Sequence, residues 1–124
     1  MSAIAGIVHF DPDKPVDRAT ANRLLSVITP YGQDAQKSWE GRGIVMMRSL
    51  LRTTPEDALD RQPVMSRETG RITLFDGRLD NREELAEALR IENSRLRLLA
   101  DSAVVAAAMD RWREGAFERF LGDF

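Results

Sequence analysis

The sequence starts with MSAIAGI (Met1–Ile7), and this stretch decides the fold. Small and branched apolar residues run without a charge from Ala3 to Val8, a pattern typical of a strand that is covered on both faces. The first residues of a domain usually fray unless something ties them into the structure. We therefore predict that Ala3–Val8 is a central strand around which the other elements pack.

Composition limits the kinds of protein that this chain can be. Its 124 residues are 43% hydrophobic and 31% charged, which favours one globular domain over residues 1–124. The net charge of −2 and the dispersed arginines argue against nucleic acid as a partner. No apolar run approaches the roughly 20 residues that span a bilayer, and the N-terminus lacks a signal-peptide pattern, so we expect a cytoplasmic protein and no membrane partner.

The sequence contains no cysteine. This excludes disulfides, thiolate metal sites and cysteine nucleophiles, and no metal site is expected.

Helix and strand signals follow one another in the first part of the chain. Asp17 is predicted to cap a helix with one apolar face, and residues 30–32 (Pro-Tyr-Gly) end it. A strand is predicted over Ile44–Leu51, and a helical turn begins at Thr54. Residues 63–65 and 71–75 are predicted to pair as a hairpin.

Two further helices are predicted after the hairpin. Asn81 and Glu84 have the spacing of a capping box at the start of the first. The second begins near Asp101, has an apolar stripe from Val105 onwards, and ends at Gly115. This combination of strands and helices indicates an α+β fold.

Few side chains are candidates for chemistry from the residues alone. His9, the only histidine, has no serine or carboxylate motif beside it and is more typical of a strand end than of a general base. Arg48 is a charge inside an apolar strand, where it costs free energy unless it is paired. Asp76 and Gly77 interrupt a strand, and Asp101 opens a helix, where anions are favoured. Together these positions are a candidate clamp for a small zwitterion.

Several short motifs occur in a fixed order along the chain. They are Ile4–Ile7 (IAGI), Tyr31–Asp34 (YGQD), Arg48, Phe75–Asn81 (FDGRLDN), Asp101–Ala103 (DSA) and Gly122–Phe124 (GDF). In this order they resemble the N-terminal glutaminase domain of class II glutamine amidotransferases, particularly that of asparagine synthetases. The resemblance implies an α+β sandwich of the N-terminal-nucleophile type, in which largely antiparallel sheets are flanked by helices.

The resemblance also implies roles for three residues. Arg48 stands where the family's arginine holds the α-carboxylate of glutamine, and Asp101 stands where an aspartate holds its amino group. Gly77 belongs to the position of the Asn-Gly pair that forms the oxyanion hole. Arg48, Gly77 and Asp101 would then line a vestigial amino-acid pocket. The alternative that Arg48 and Asp101 form a structural ion pair stays open.

Two departures from the family pattern affect catalysis. Ser2 replaces the nucleophilic cysteine that follows the initiator Met, and a hydroxyl is a far weaker nucleophile at neutral pH. A retained Met1 would also block the N-terminal amine of residue 2 from acting as the base. Asp76 replaces the oxyanion-hole asparagine, where loss of one neutral donor already costs roughly 3 kcal/mol. We therefore expect no catalytic residue in this chain and no glutaminase activity.

Relatives that lack this cysteine use a substrate amine in place of ammonia, among them β-lactam synthetases and lasso-peptide cyclases. The chain resembles the lasso-peptide cyclases most, and four segments carry this resemblance: Met1–Ile7, Thr54–Glu56, Arg61–Pro63 and Leu121–Phe124. This implies a non-catalytic domain of an ATP-dependent amide ligase that adenylates a carboxylate of a precursor peptide and closes a macrolactam.

By the same resemblance, ATP and Mg²⁺ would bind a synthetase domain that this chain does not contain, so no cofactor is expected here. The chain is expected to be a fragment, truncated at its C-terminus, with exposed strand edges or pairing with another chain. Expected partners are the synthetase domain, in the same or a separate chain, the precursor peptide and its processing proteins.

Two other functions stay open from the sequence. One is an active glutaminase of an asparagine synthetase that uses Ser2 as its nucleophile. The other is an amino-acid sensor that keeps Arg48 and Asp101 as its clamp.

Overall fold

The computed structural model describes residues 2–124. It divides the chain into two compact units, Met1–Thr53 and Thr54–Phe124, called the N-terminal and C-terminal units below. Both contain helices and antiparallel strand pairs, which confirms the α+β class. No helix formed by residues 2–124 is long and apolar enough to cross a membrane.

The N-terminal unit is a three-stranded antiparallel sheet with one helix on it. Strands β1 (Ala3–Val8), β2 (Ala35–Gly41) and β3 (Ile44–Leu50) are arranged in the order β1-β3-β2. Helix α1 (Arg18–Ile28) and the 3-10 turn Thr29–Tyr31 connect β1 to β2. The core between α1 and the sheet contains Val16, Ile28, Val45 and Met47.

Strand β1 has the predicted bounds, but the prediction that it is central is wrong. The central strand is β3, and β1 pairs with no other strand of residues 2–124. Along β1 the side chains alternate between half-buried and exposed, so only one face is covered. The uninterrupted apolar run suggested cover on both faces, but Ile4 and Val8 remain 44% and 66% exposed.

The C-terminal unit combines two strand pairs with a helical layer. The 3-10 turn Pro55–Leu59 precedes β4 (Val64–Met65) and β5 (Ile72–Thr73), which form the predicted hairpin. Strand β6 (Arg78–Leu79) pairs with β7 (Gly122–Asp123). Helices α2 (Arg82–Ala88), α3 (Asn93–Leu96) and α4 (Asp101–Trp112) follow β6, and the 3-10 segment Arg113–Arg119 leads to β7.

The core of this unit comes mostly from its helices. Small and branched side chains of α2 and α4 pack closely together with Leu96 of α3 and Phe120. The buried Val105 and Ala108 belong to the predicted apolar stripe of α4, and the fully buried Val104 lies just before that stripe.

Helix ends agree with the sequence predictions in one case and differ in two. Asp17 caps α1 as predicted, since its carboxylate accepts the Thr20 N–H at 2.9 Å. The capping box at Asn81 is wrong, because the Asn81 side chain caps no backbone amide of α2. The predicted stop at Gly115 is also wrong. Helix α4 ends at Trp112, and Arg113 has a positive φ of +53°, which is uncommon for a residue other than glycine.

Candidate functional site

Ser2, which the resemblance implies stands at the nucleophile position, lies beside the end of β3. Its hydroxyl oxygen accepts a hydrogen bond from the Leu51 N–H at 3.0 Å, and its O–H donates to the Leu51 carbonyl at 3.4 Å. The Ser2 hydroxyl thus extends the β1–β3 pairing by one more link beyond the Ala3–Ser49 pair. Met1, whose retention would block the residue 2 amine, lies outside the described residues.

Arg48 lies within an apolar strand, β3, as the sequence predicts, and β3 is the central strand of the sheet. Arg48 is only 7% exposed, and it pairs in register with Ile4 of β1 and Lys37 of β2. Directly paired residues share one face of an antiparallel sheet, and alternate residues along a strand return to that face. Ser2 precedes Ile4 by two residues, so Ser2 and Arg48 are directed to the same face of the N-terminal unit.

Gly32 and Asp34 belong to the family-like motif at 31–34. Both residues hold this segment against β3 and the residues that follow it. A Cβ on Gly32 would overlap the Ser49 carbonyl group, so only glycine fits there. The Ser49 hydroxyl donates to the Gly32 carbonyl at 2.5 Å. The Asp34 carboxylate accepts the Arg52 N–H at 2.7 Å. Both residues therefore support the part of β3 that carries Arg48.

Asp76 and Gly77, at the oxyanion position, connect the hairpin to β6. Gly77 lies so close to the last residues that a Cβ there would overlap the Asp123 carbonyl and lie 2.5 Å from Cβ of Phe124. Asp76 is half-buried. The resemblance implies a neutral asparagine amide at this position of the family, and this chain has an aspartate.

Gln62 holds the residue before Asp76 and is almost fully buried, at 2% exposure. Its side-chain amide donates to the Phe75 carbonyl at 2.7 Å and to Asp60 at 3.0 Å, and its oxygen accepts the Phe75 N–H. The Gln62 side chain thus satisfies both backbone groups of Phe75, as a neighbouring strand would do in a sheet. The buried Ser102 hydroxyl also donates to Asp60, at 3.1 Å. Sequence reasoning missed this network, and its only signal was the family-like Arg61–Pro63 motif.

Asp101, the first residue of α4, binds groups of its own unit with both carboxylate oxygens. One oxygen accepts the Leu79 N–H at 2.9 Å, and the other accepts from Arg82 at 2.8 Å. Arg82 also donates to the carbonyls of Leu96 and Leu99. Burial raises the pKa of the Asp101 carboxyl, while the Leu79 hydrogen bond and the Arg82 charge act in the lowering direction.

Asp101 therefore joins β6, α2 and α4, and its ion-pair partner Arg82 was not recognised from the sequence. No local pattern marks this pair, because 19 positions separate the two residues.

The predicted pocket residues belong to different units. Arg48 and Ser2 are in the N-terminal unit, whereas Asp76, Gly77 and Asp101 are in the C-terminal unit. Within the C-terminal unit, Asp101 binds Leu79, only two residues after Gly77. The clamp that would join Arg48 to Gly77 and Asp101 stays a prediction.

The α+β fold with antiparallel sheets, and the order of these positions, are compatible with an amidotransferase-like domain of the N-terminal-nucleophile type. A family model described as a glutamine amidotransferase domain matches residues 1–124, so the chain belongs to that family. Neither the curated proteins nor the solved structures contain a significant match to the chain.

Proposed function

We propose that this chain is a non-catalytic amidotransferase-like domain of an ATP-dependent amide ligase. The observation that carries the proposal is the state of Ser2. The chain has no cysteine, and the hydroxyl oxygen at the nucleophile position accepts a backbone hydrogen bond from Leu51. The Ser2 hydroxyl bonds to the Leu51 backbone as both acceptor and donor, and a hydroxyl without an activating base is a weak nucleophile at neutral pH.

Asp76 also supports the absence of catalysis, because it affects how the intermediate of amide hydrolysis would be stabilised. The tetrahedral intermediate of amide hydrolysis needs donors aimed at its negative oxygen. An ionised carboxylate at this position repels the developing charge. Loss of both nucleophile and donor acts on one reaction, so the glutaminase activity typical of the family is absent from this domain.

The ligase assignment rests on the resemblance of the chain start, Thr54–Glu56, Arg61–Pro63 and Leu121–Phe124 to lasso-peptide cyclases. In such an enzyme a synthetase domain uses ATP to adenylate a carboxylate of a precursor peptide. The N-terminal amine of the peptide then closes a macrolactam ring. This domain would support the synthetase domain or help to hold the peptide.

The ligase assignment is tested by the coding sequence beyond Phe124 and by an amide-forming assay. We expect a Ser- and Gly-rich pyrophosphatase-type loop in that sequence, or in a neighbouring gene. The enzyme that carries it should form its amide with ATP and a substrate amine at the same rate with and without glutamine. Absence of the loop from both places, or product that requires glutamine, would contradict the proposal.

Retention of a buried Arg48 favours an amino-acid sensor as the second candidate function. A sensor would bind glutamine without hydrolysing it. Isothermal titration calorimetry of the wild-type chain with glutamine, compared with Arg48→Ala, distinguishes the two. We expect no binding heat in either, whereas saturable heat that Arg48→Ala abolishes would favour the sensor.

A further inference from the structure

We draw no further inference here: the strongest candidate, the surface groove between α2 and α3 that is lined by Glu83, Glu84, Glu87 and Glu92, rests on a cluster of acidic side chains alone, and nothing in the structure shows what covers it.

Discussion

At the scale of single residues, the polar side chains of the candidate site bond mainly to the backbone of their own unit. Ser2 accepts from Leu51, Asp101 accepts from Leu79, and Gln62 bonds to Phe75 in both directions. In a glutaminase the corresponding groups would need free donors or acceptors for substrate. Here they stabilise the fold, as we expect if the site has the non-catalytic role that we propose.

Gln62→Leu should lower the free energy of unfolding by about 3 kcal/mol. The substitution leaves the Phe75 N–H and C=O and one Asp60 oxygen without the hydrogen bonds that Gln62 supplies, and unsatisfied buried groups cost about 1–3 kcal/mol each. Urea unfolding followed by circular dichroism measures the change. Gln36→Leu, the same substitution at an exposed position of β2, should change stability by less than about 0.5 kcal/mol. Equal effects of the two variants would contradict the role of Gln62.

Asp101 should make stability depend on acid pH. Burial raises the pKa of its carboxyl above the usual 3.8, so the folded protein binds this proton at a higher pH than the unfolded chain does. The resulting stabilisation is fully present below pH 3.8 and is lost as pH rises through the raised pKa.

The difference in unfolding free energy between wild type and Asp101→Asn isolates this contribution, because the other titrating groups cancel. Wild type minus variant should be larger at pH 3 than at pH 6. A difference that grows with pH would mean that Arg82 and the Leu79 N–H outweigh burial.

At the scale of elements, the close approach of β6 and β7 depends on glycine. A Cβ on Gly122 would overlap the Arg78 carbonyl oxygen, and its φ of +150° is rare for other residues. The pairing also includes the Asp80 N–H, which donates to the Leu121 carbonyl at 2.7 Å. Asn81 strengthens the same junction, since its side chain bonds to the Arg119 carbonyl and the Leu121 N–H.

Gly122→Ala should therefore separate β7 from β6. Hydrogen exchange at the Asp80 amide should become at least tenfold faster, because its acceptor Leu121 moves away. Gly115→Ala is the matched control, since a Cβ at Gly115 meets nothing within 4 Å, and exchange at Asp80 should stay unchanged. Unaltered exchange in Gly122→Ala would show that the strand pair tolerates a side chain there.

Elements with strong local signals were predictable from the sequence. Helix α1 has its cap and apolar stripe, β3 has its apolar run, and the β4–β5 hairpin has a turn with Gly70 at φ of +70°. Strand β2 (AQKSWEG) was missed because it is mostly polar and depends on pairing with β3. The central position of β3 was missed for a related reason, since strand order is a property of pairing and not of local composition.

Some residues of the candidate site could be predicted from the sequence and others could not. Ser2, Arg48, Gly77 and Asp101 were accessible from the sequence because they occur within short motifs in a recognisable order. Gln62 and Arg82 were not, because their partners Phe75 and Asp101 are 13 and 19 positions away. Their roles arise only when the chain has folded.

At the scale of the whole molecule, the family match over residues 1–124 and the altered site together define the account. We propose that Ser2 stands at the family's nucleophile position and Asp76 at its oxyanion-donor position. On this proposal the domain has an architectural role without the hydrolytic step.

The most direct test is the rate of glutamate release from L-glutamine by the purified chain, measured beside Ser2→Ala and a buffer control over a day. We expect both proteins to match the buffer, since neither presents a competent nucleophile. A rate that is equal in both proteins and above buffer would identify a contaminating glutaminase. Glutamate release by the wild-type chain that Ser2→Ala abolishes would contradict the central claim.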